Sequence, residues 1–439
     1  MEQLDLFPQD EGKISLEELF QAYYDCRRHK RKTFNALEFE GDYENRLLEL
    51  WQEINNGTYY PGRSIAFIVT KPVKREVFAA DFRDRVVHHL IINKINHIME
   101  SCFIDDSYSC REGKGVQHGI KRIGGFVAEC SQNFTKDCYI LKMDIQSFFM
   151  SIDKKLLFAR LKKVLEQQYH EPDKALLIDL VHKVVCLNPQ DNCCIKGKRS
   201  NWQGLPPSKS LFTVSRKKGL PIGNLTSQIF ANFYLSFFDR FVKDVCKVKY
   251  YGRYVDDFVI VHESKEFLQN LRPKLCRFME EDLLLKLHPR KVYLQHYSKG
   301  VKFIGAVVKP WRQYVGNRTK GNLYECLEKY NKAAAEDKNY VKENAEHFLA
   351  SVNSYLGFMV HYNTYKLRWK VLNNLQSPWK EIVTFNEDAR KLELKPKYKA
   401  LIRQKKKIQN RSRNIKKQII RQNKIDKELL PLGVSTSVA

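Results

Sequence analysis

Apolar and polar positions along this chain follow two periods, and the changes between them mark its elements. Ser15-Leu16-Glu17-Glu18 is a capping-box pattern and predicts a helix to about Arg28. Apolar residues at helical spacing predict a second helix over about 42–55, stopping near Gly57. Runs at Ser64–Thr70 and Glu76–Ala80 read as strands, and Arg83–Met99 reads as a helix rich in Val, His and Ile. Tyr139–Met143 is a short apolar strand, and a helix is expected over 154–168. Residues 187–218 are polar and basic, contain Pro206-Pro207, and read as a loop or insertion. A long apolar-periodic helix is expected over 223–245, then a hairpin around 253–261 and a helix over about 265–285. Strands follow near 291–295 and 301–308, and helical patterns dominate from about 320 to 378. No internal repeat interrupts this order.

Composition narrows the classes. The 439 residues suggest about two to four domains or subdomains. A hydrophobic content of 43% is ample for sizeable cores, and a formal charge of +26 points to a polyanionic partner, nucleic acid before membrane. No apolar run reaches the ~18 residues of a membrane span. The first residues lack the basic-then-apolar pattern of a secretory signal, so a cytoplasmic location is expected. Eleven scattered cysteines, an odd number, suit a reducing compartment. Cys193-Cys194, with Cys186 and His182 nearby, lack the paired C-x₂-C spacing of a zinc site. From Arg390 to Lys427 there are 16 Lys or Arg against Glu393 and Asp426, a net +14. Such a block reads as a nucleic-acid-binding tail, because cations gain affinity by releasing counterions.

The candidate chemistry lies in carboxylates set into apolar strands. Arg253-Tyr254-Val255-Asp256-Asp257-Phe258-Val259-Ile260-Val261 places two adjacent Asp residues at a tight turn. Mutual repulsion and lost water make that placement costly, and a divalent cation with hard oxygen ligands is the simplest compensation. Leu141-Lys142-Met143-Asp144 puts a third carboxylate at the end of another strand. Two metal ions ~4 Å apart need carboxylates converging from separate strands, which Asp144, Asp256 and Asp257 supply. Asp153 reads instead as the cap of the following helix. Between the acidic strands, Gly219-Leu220-Pro221-Ile222-Gly223-Asn224-Leu225-Thr226-Ser227-Gln228 is a glycine-bearing turn entering a helix, a geometry suited to phosphate and to close approach of a sugar or base.

These motifs, in this order, resemble the bacterial, group II intron-like reverse transcriptases. Lys74-Arg75-Glu76-Val77 and Phe82-Arg83-Asp84-Arg85 resemble the first fingers block, and Asp106-Ser107-Tyr108-Ser109 through Gly115 the second. Asp144 lies in the first palm motif, Tyr254-Val255-Asp256-Asp257 is the Y-x-D-D motif, and Lys302-Phe303-Ile304-Gly305 resembles the primer grip. Most of that lineage carries Q-G-x-x-x-S-P at the glycine turn. Ile222-Gly223-Asn224-Leu225-Thr226-Ser227-Gln228 instead resembles the I-G-x-x-x-S-Q form of diversity-generating retroelements, whose enzymes copy a template RNA with frequent errors at adenines.

The resemblance implies an α+β, right-hand polymerase: fingers and palm over 60–310 with an antiparallel palm sheet, and a helical thumb over 311–385. A helical N-terminal extension would occupy 1–59 and the basic tail 386–439. It implies two Mg²⁺ ions, replaceable by Mn²⁺, held by Asp144, Asp256 and Asp257, with dNTP substrates. Arg75 and Arg85 would hold the triphosphate, with Arg83 a competitor, and Phe149 would exclude a ribose 2′-OH. Ile222, Gly223 and Gln228 would line the nucleotide site. Lys114 and Arg111 could serve the template path, and Tyr108 and Tyr254 either stack on bases or pack in the core. The implied partners are template RNA, the cDNA/RNA duplex and a small basic accessory protein, pentameric in that family. Three alternatives remain at this stage: a defence-type or retron-like reverse transcriptase, a catalytically silent RNA-binding maturase-like protein, and a DNA-templated primase-like polymerase.

Overall fold

The computed structural model describes residues 12–28, 33–71, 73–401 and 404. The chain divides into two compact units after Arg312. In the first, α1 (Leu16–Arg27), α2 (Phe34–Glu40) and α3 (Tyr43–Asn55) pack with α4 (Phe82–Cys102) through an apolar layer. Ser15 Oγ accepts from Glu18 N, and the Glu18 carboxylate accepts from Ser15 N, so the capping box forms as expected. Between α3 and α4 lies the antiparallel pair β1 (Ser64–Val69) and β2 (Arg75–Ala79), with Val69 opposite Arg75.

Then come α5 (Val116–Cys130), β3 (Tyr139–Asp144), α6 (Phe148–Ser151), α7 (Lys154–Gln168), α8 (Lys174–Cys186) and β4 (Cys193–Ile195). After them run α9 (Leu225–Arg240), β5 (Tyr250–Tyr254), β6 (Asp257–His262), α10 (Lys265–Glu281) and β7 (Tyr293–His296). The central sheet has the order β5-β6-β3-β7, with antiparallel neighbours throughout. Its middle strands are buried without alternation, from Phe258 to Val261 and at Ile140, Leu141 and Met143, because helices cover the sheet. The Phe238 ring of α9 meets Phe258 edge-on at 5.1 Å, and Phe126 of α5 lies 5.8 Å from Tyr250.

Several expectations need correction. The run at 301–308 is a hairpin of β8 (Val301–Phe303) and β9 (Ala306–Lys309), turned by Ile304 and Gly305 at φ 45° and 83°. The expected 223–245 helix starts at Leu225 and widens into a π-turn at Phe241–Val245. The 265–285 helix stops at Glu281. The 187–218 stretch is mostly irregular, yet its β4 joins β1 in parallel. Cys193 and Cys194 sit in that strand, His182 lies edge-on to Phe158, and all eleven cysteines are free thiols.

β10 (Arg312–Val315) spans the division. The second unit holds α11 (Asn317–Glu336), α12 (Lys338–Met359), α13 (Tyr365–Asn373), α14 (Trp379–Ile382) and the antiparallel hairpin β11 (Val383–Phe385) with β12 (Leu392–Leu394). Trp379 stacks on Phe348 at 4.1 Å and donates to Tyr330 O. Asn353 exchanges two hydrogen bonds with the Leu392 backbone, and Arg368 caps the carbonyls of Asp388 and Ala389. Residues 386–394, expected to open the basic tail, are therefore part of this folded unit. Most of the expected tail, 402–439, lies outside the described residues except for position 404. No helix of the described residues is long and apolar enough to cross a membrane.

One ion pair is fully buried. Arg253 on β5 and Asp239 on α9 have side chains with no exposure and an Nη2–Oδ2 distance of 2.5 Å. Tyr251 Oη donates to the same carboxylate at 2.5 Å. Removing one partner of such a pair strands the other charge without water and costs about 3–5 kcal/mol. Asp239→Ala should lower stability by that amount in urea denaturation, whereas the paired Asp239→Leu, Arg253→Met replacement should lose less than the single variant. Equal stability of Asp239→Ala and wild type would overturn this reading.

Candidate active site

β3 ends at Asp144 and β6 begins at Asp257, and the two are direct cross-strand partners. On the other side Tyr254 pairs with Asp257, leaving Val255 and Asp256 as a two-residue turn. Val255 has φ 55°, a left-handed conformation that β-branched residues rarely adopt and that costs about 1–3 kcal/mol. Two neighbours hold it there: Ser109 Oγ accepts from Val255 N at 3.3 Å, and Arg253 Nη1 donates to Val255 O at 2.9 Å.

The hairpin thus gathers three carboxylates at one sheet end. Lys142, two residues before Asp144 and so on the same face, reaches Asp257 Oδ2 at 2.9 Å. Lys291 Nζ lies 3.0 Å from Asp144 Oδ2. Burial pushes the Asp257 carboxyl up to about 6, opposed by Lys142. Burial and then the charge of Asp144 raise Asp256 above the usual carboxylate range, opposed by Arg75 and Lys291. Asp257 Oδ1 is buried without a hydrogen-bond partner. An orphaned carboxylate oxygen among repelling carboxylates fits a hard divalent cation. Among the described residues no group of three or more His, Cys, Asp or Glu is arranged to hold a metal ion by itself; Mg²⁺ is usually held by one or two carboxylates together with substrate phosphates.

The glycine turn is stitched to its surroundings by backbone hydrogen bonds. Gly219 N donates to Ile152 O, Leu220 N to Phe149 O, and Phe78 N to Ile222 O, at 2.8–2.9 Å. Buried Asn224 accepts from Ala80 N, and Thr226 Oγ1 lies 2.7 Å from His88 Nδ1, joining the turn to β2 and α4. Gly223 has φ 126°, and a Cβ there would lie 2.8 Å from Val77 Cγ1, so any other residue would be strained and would have to displace Val77.

The sequence profile described as "Reverse transcriptase (RNA-dependent DNA polymerase)" matches residues 74–308, more than half of the chain. The chain belongs to the reverse transcriptase family. Protein YkfC of Escherichia coli K12 is 22% identical over 290 residues, covering 58% of this chain and 69% of YkfC. Group II intron-encoded protein LtrA of Lactococcus lactis is 23% identical over 303 residues, covering 61% of this chain and half of LtrA. Among solved structures, apo telomerase of Candida tropicalis, truncated from its C-terminal domain, has a TM-score of 0.42 at 13% identity, covering 56% of this chain and 53% of that one. Telomerase of Candida albicans, in complex with a TWJ fragment of telomeric RNA, scores 0.41 at 12% identity, covering 78% and 63%.

The reverse transcriptase span contains every candidate site residue, but the structure treats them differently. Arg75 is exposed at the start of β2, where its charge bears on Asp256. Arg85 spends Nε on Ala80 O at 2.9 Å. Arg83 is committed to the N-terminal helices, pairing with Glu53 and lying over the Tyr59 ring. Phe149 is half-buried, edge-on to Phe148. Ile222 is half-buried against Ala66, Phe78, Met150 and Leu211. Gln228 is exposed, and its Oε1 accepts from the Cys110 thiol.

Asp153 caps α7 through Leu156 N, as expected. Arg111 and Lys114 do not stand free for a template: Arg111 is bound to Glu100 and two carbonyls, and Lys114 to Asp105. Tyr108 is a core residue, fully buried with its hydroxyl on Asp106. Lys142 and Lys291 were missed by the motif reading. Strand period could have found Lys142; nothing local points to Lys291.

Because the Asp257 pKa in the fold lies above its unfolded value of 3.8, its protonated form favours the fold. That contribution is whole below 3.8 and is lost as pH rises through about 6. At pH 7.5 the metal-free carboxylate therefore weakens the fold. Asp257→Asn should raise the metal-free Tm at pH 7.5 by a few degrees, about 2–4 °C per kcal/mol for a large domain, with the gain shrinking toward pH 5. Mg²⁺ should raise the wild-type Tm more than the variant's. A variant that melts below wild type without metal would overturn the assignment.

Proposed function

We propose that this reverse transcriptase copies a template RNA into cDNA within a diversity-generating retroelement, with errors concentrated at template adenines. The observation that carries the subtype is the Ile222-to-Gln228 turn, which has Ile and Gln where most of the group II-like lineage has Gln and Pro. Its Ile222 carbonyl is bonded to β2, which carries Arg75, and Leu220 just before it is bonded to Phe149 of α6. The partners are the template RNA, the growing cDNA/RNA duplex and a small basic accessory protein.

Asp144 and Asp256 would be the principal holders of two Mg²⁺ ions, with Asp257 beside them. Bound there, the ions supply activation of the 3′-hydroxyl and neutralisation of the leaving pyrophosphate. Arg75 orients the triphosphate by its guanidinium charge. Phe149 meets the sugar and excludes a 2′-OH by bulk. Gly223 lets the backbone approach the nucleotide without a Cβ. Ile222 offers an apolar surface where a Gln would offer hydrogen bonds, so mispairs lose less relative to correct pairs. Positioning and charge supply most of the rate, because phosphoryl transfer asks little covalent chemistry of the protein.

The test is sequencing of cDNA made by the purified protein on its neighbouring RNA. Mismatches should concentrate at template adenines, and Asp256→Asn should reduce extension at least a hundredfold. Uniform fidelity across the four template bases would leave a retron-like or defence-type enzyme, and extension unaffected by Asp256→Asn would remove the polymerase assignment of that residue. In the same assay Ile222→Gln should lower misincorporation at adenines several-fold, in line with about 1–3 kcal/mol for a good base contact. An unchanged error spectrum would sink the role given to Ile222.

A further inference from the structure

Glu76 on β2 is 1% exposed and lies next to Arg75. Its carboxylate accepts three hydrogen bonds, each 2.6 Å, from Trp202 Nε1, Ser210 Oγ and Leu211 N. All three donors belong to the irregular 187–218 stretch. Lys74 Nζ donates to Gln203 O at 2.6 Å. Leu211 is buried in the apolar cluster that backs Ile222. The stretch is therefore not a free loop: a buried carboxylate and an apolar anchor fix it to β2 and the glycine turn.

What it presents outward is charge of one sign. The stretch has seven Lys or Arg and one acid, Asp191, which pairs with Arg216 at 2.7 Å. Lys196, Lys198, Arg199, Lys209 and Lys217 are exposed, and none has an ion-pair partner among the described residues. Ser208 Oγ lies 3.2 Å from Ser147 Oγ, three residues beyond Asp144, so Lys209 is held beside the end of the acidic strand. A solvated basic loop needs no buried carboxylate to hold it. Arg199 lies over the Phe212 ring at 5.3 Å, which leaves its charge without an acidic partner. Five cations without a counter-ion also exceed what one triphosphate requires, whereas a strand with a phosphate at every nucleotide matches them.

Position selects the strand. Lys302, in the segment resembling a primer grip, meets Lys142 of β3 through its carbonyl at 2.7 Å. The basic stretch attaches instead to β2 and the Ile222 turn. We propose that residues 196–217 form a phosphate-backbone contact for the single-stranded template entering the nucleotide site, with Glu76 as its positioning residue. This rests on the polymerase reading above.

The experiment uses the full chain and a variant with Lys196→Gln, Lys198→Gln, Arg199→Gln, Lys209→Gln and Lys217→Gln. Fluorescence anisotropy measures binding across salt concentrations to a primer on RNA with a 5′ template overhang, and to the blunt duplex. Each single-strand phosphate contact adds about 0.7 to the slope of log affinity against log salt. The variant's slope on the overhang substrate should fall by about 2–3.5, with the blunt-duplex slope, the Tm and the dNTP KM unchanged. An unchanged overhang slope, or an equal loss on both substrates, overturns the template contact. If the fivefold variant melts early, Lys209→Gln alone should still remove about 0.7 of the overhang slope, and no change there counts equally against it. Wild-type extension is read in parallel. A chain that extends no primer but shows the slope loss refutes the polymerase reading while leaving the contact in place.

Discussion

The turn that carries the candidate site depends on a guanidinium that has no water. Arg253 is fully buried, and its donors are distributed among Asp239, Asn232, Ser107 and the Val255 carbonyl. An apolar side chain of similar volume would fill that space at less desolvation cost. It could not, however, tie α9, the 107–109 segment and the turn to one planar group. Arg253 N and O also bond to Asp106 O and Tyr108 N, which covers the outer edge of β5. The strained Val255 follows from this: its carbonyl is held by the same fork, and its N–H by Ser109. Without that anchoring, a valine at φ 55° would relax and Asp256 would move with it.

The anchored turn brings together charges that repel. Asp144, Asp256 and Asp257 share one sheet end, two of them raised above the carboxylate range by burial. Lys142 and Lys291 offset part of this, one on Asp257 and one on Asp144, and an oxygen of Asp257 remains unsatisfied. Stability lost here is stability stored for a ligand. A hard divalent ion between the carboxylates would relieve that repulsion. The fully buried Arg253 network thus lies directly behind the carboxylates that repel.

The sequence carried the strands and motifs of this site more faithfully than its supports. Tyr139–Asp144 and the 253–261 hairpin were legible because apolar residues dominate both runs, broken only by Lys142, Arg253 and the carboxylates. α5 was not anticipated, since Gly119, Gly124 and Gly125 lower its helix propensity. The structure gives one reason for that choice: a Cβ on Gly119 would lie 2.7 Å from the Tyr108 ring. Arg111, Lys114 and Tyr108 were open to a template role on chemistry alone. Their acidic partners Glu100, Asp105 and Asp106 lie close in sequence, but local spacing does not reveal which charges pair. Asp239 carried no signal in the sequence, and Glu76 entered only as a member of the first fingers block, with no role of its own. Only tertiary burial makes one the counter-ion of Arg253 on β5 and the other the clamp of an insertion.

The glycine turn separates two effects that are often confounded. Ile222 is held through its carbonyl by Phe78 N, and the next residue, Gly223, sits where a Cβ would have to displace Val77. A change of side chain at 222 therefore acts mainly through polarity and shape at the surface of the site. A Cβ at 223 would instead push on Val77 and the Phe78 carbonyl. That displacement would pass along β2 to Arg75 and to Glu76, and so to the clamped basic stretch. Neighbouring positions in one turn thus address different properties of the enzyme. Under the proposed function, position 222 would bear on which base is accepted, and position 223 on whether triphosphate and template are held in register.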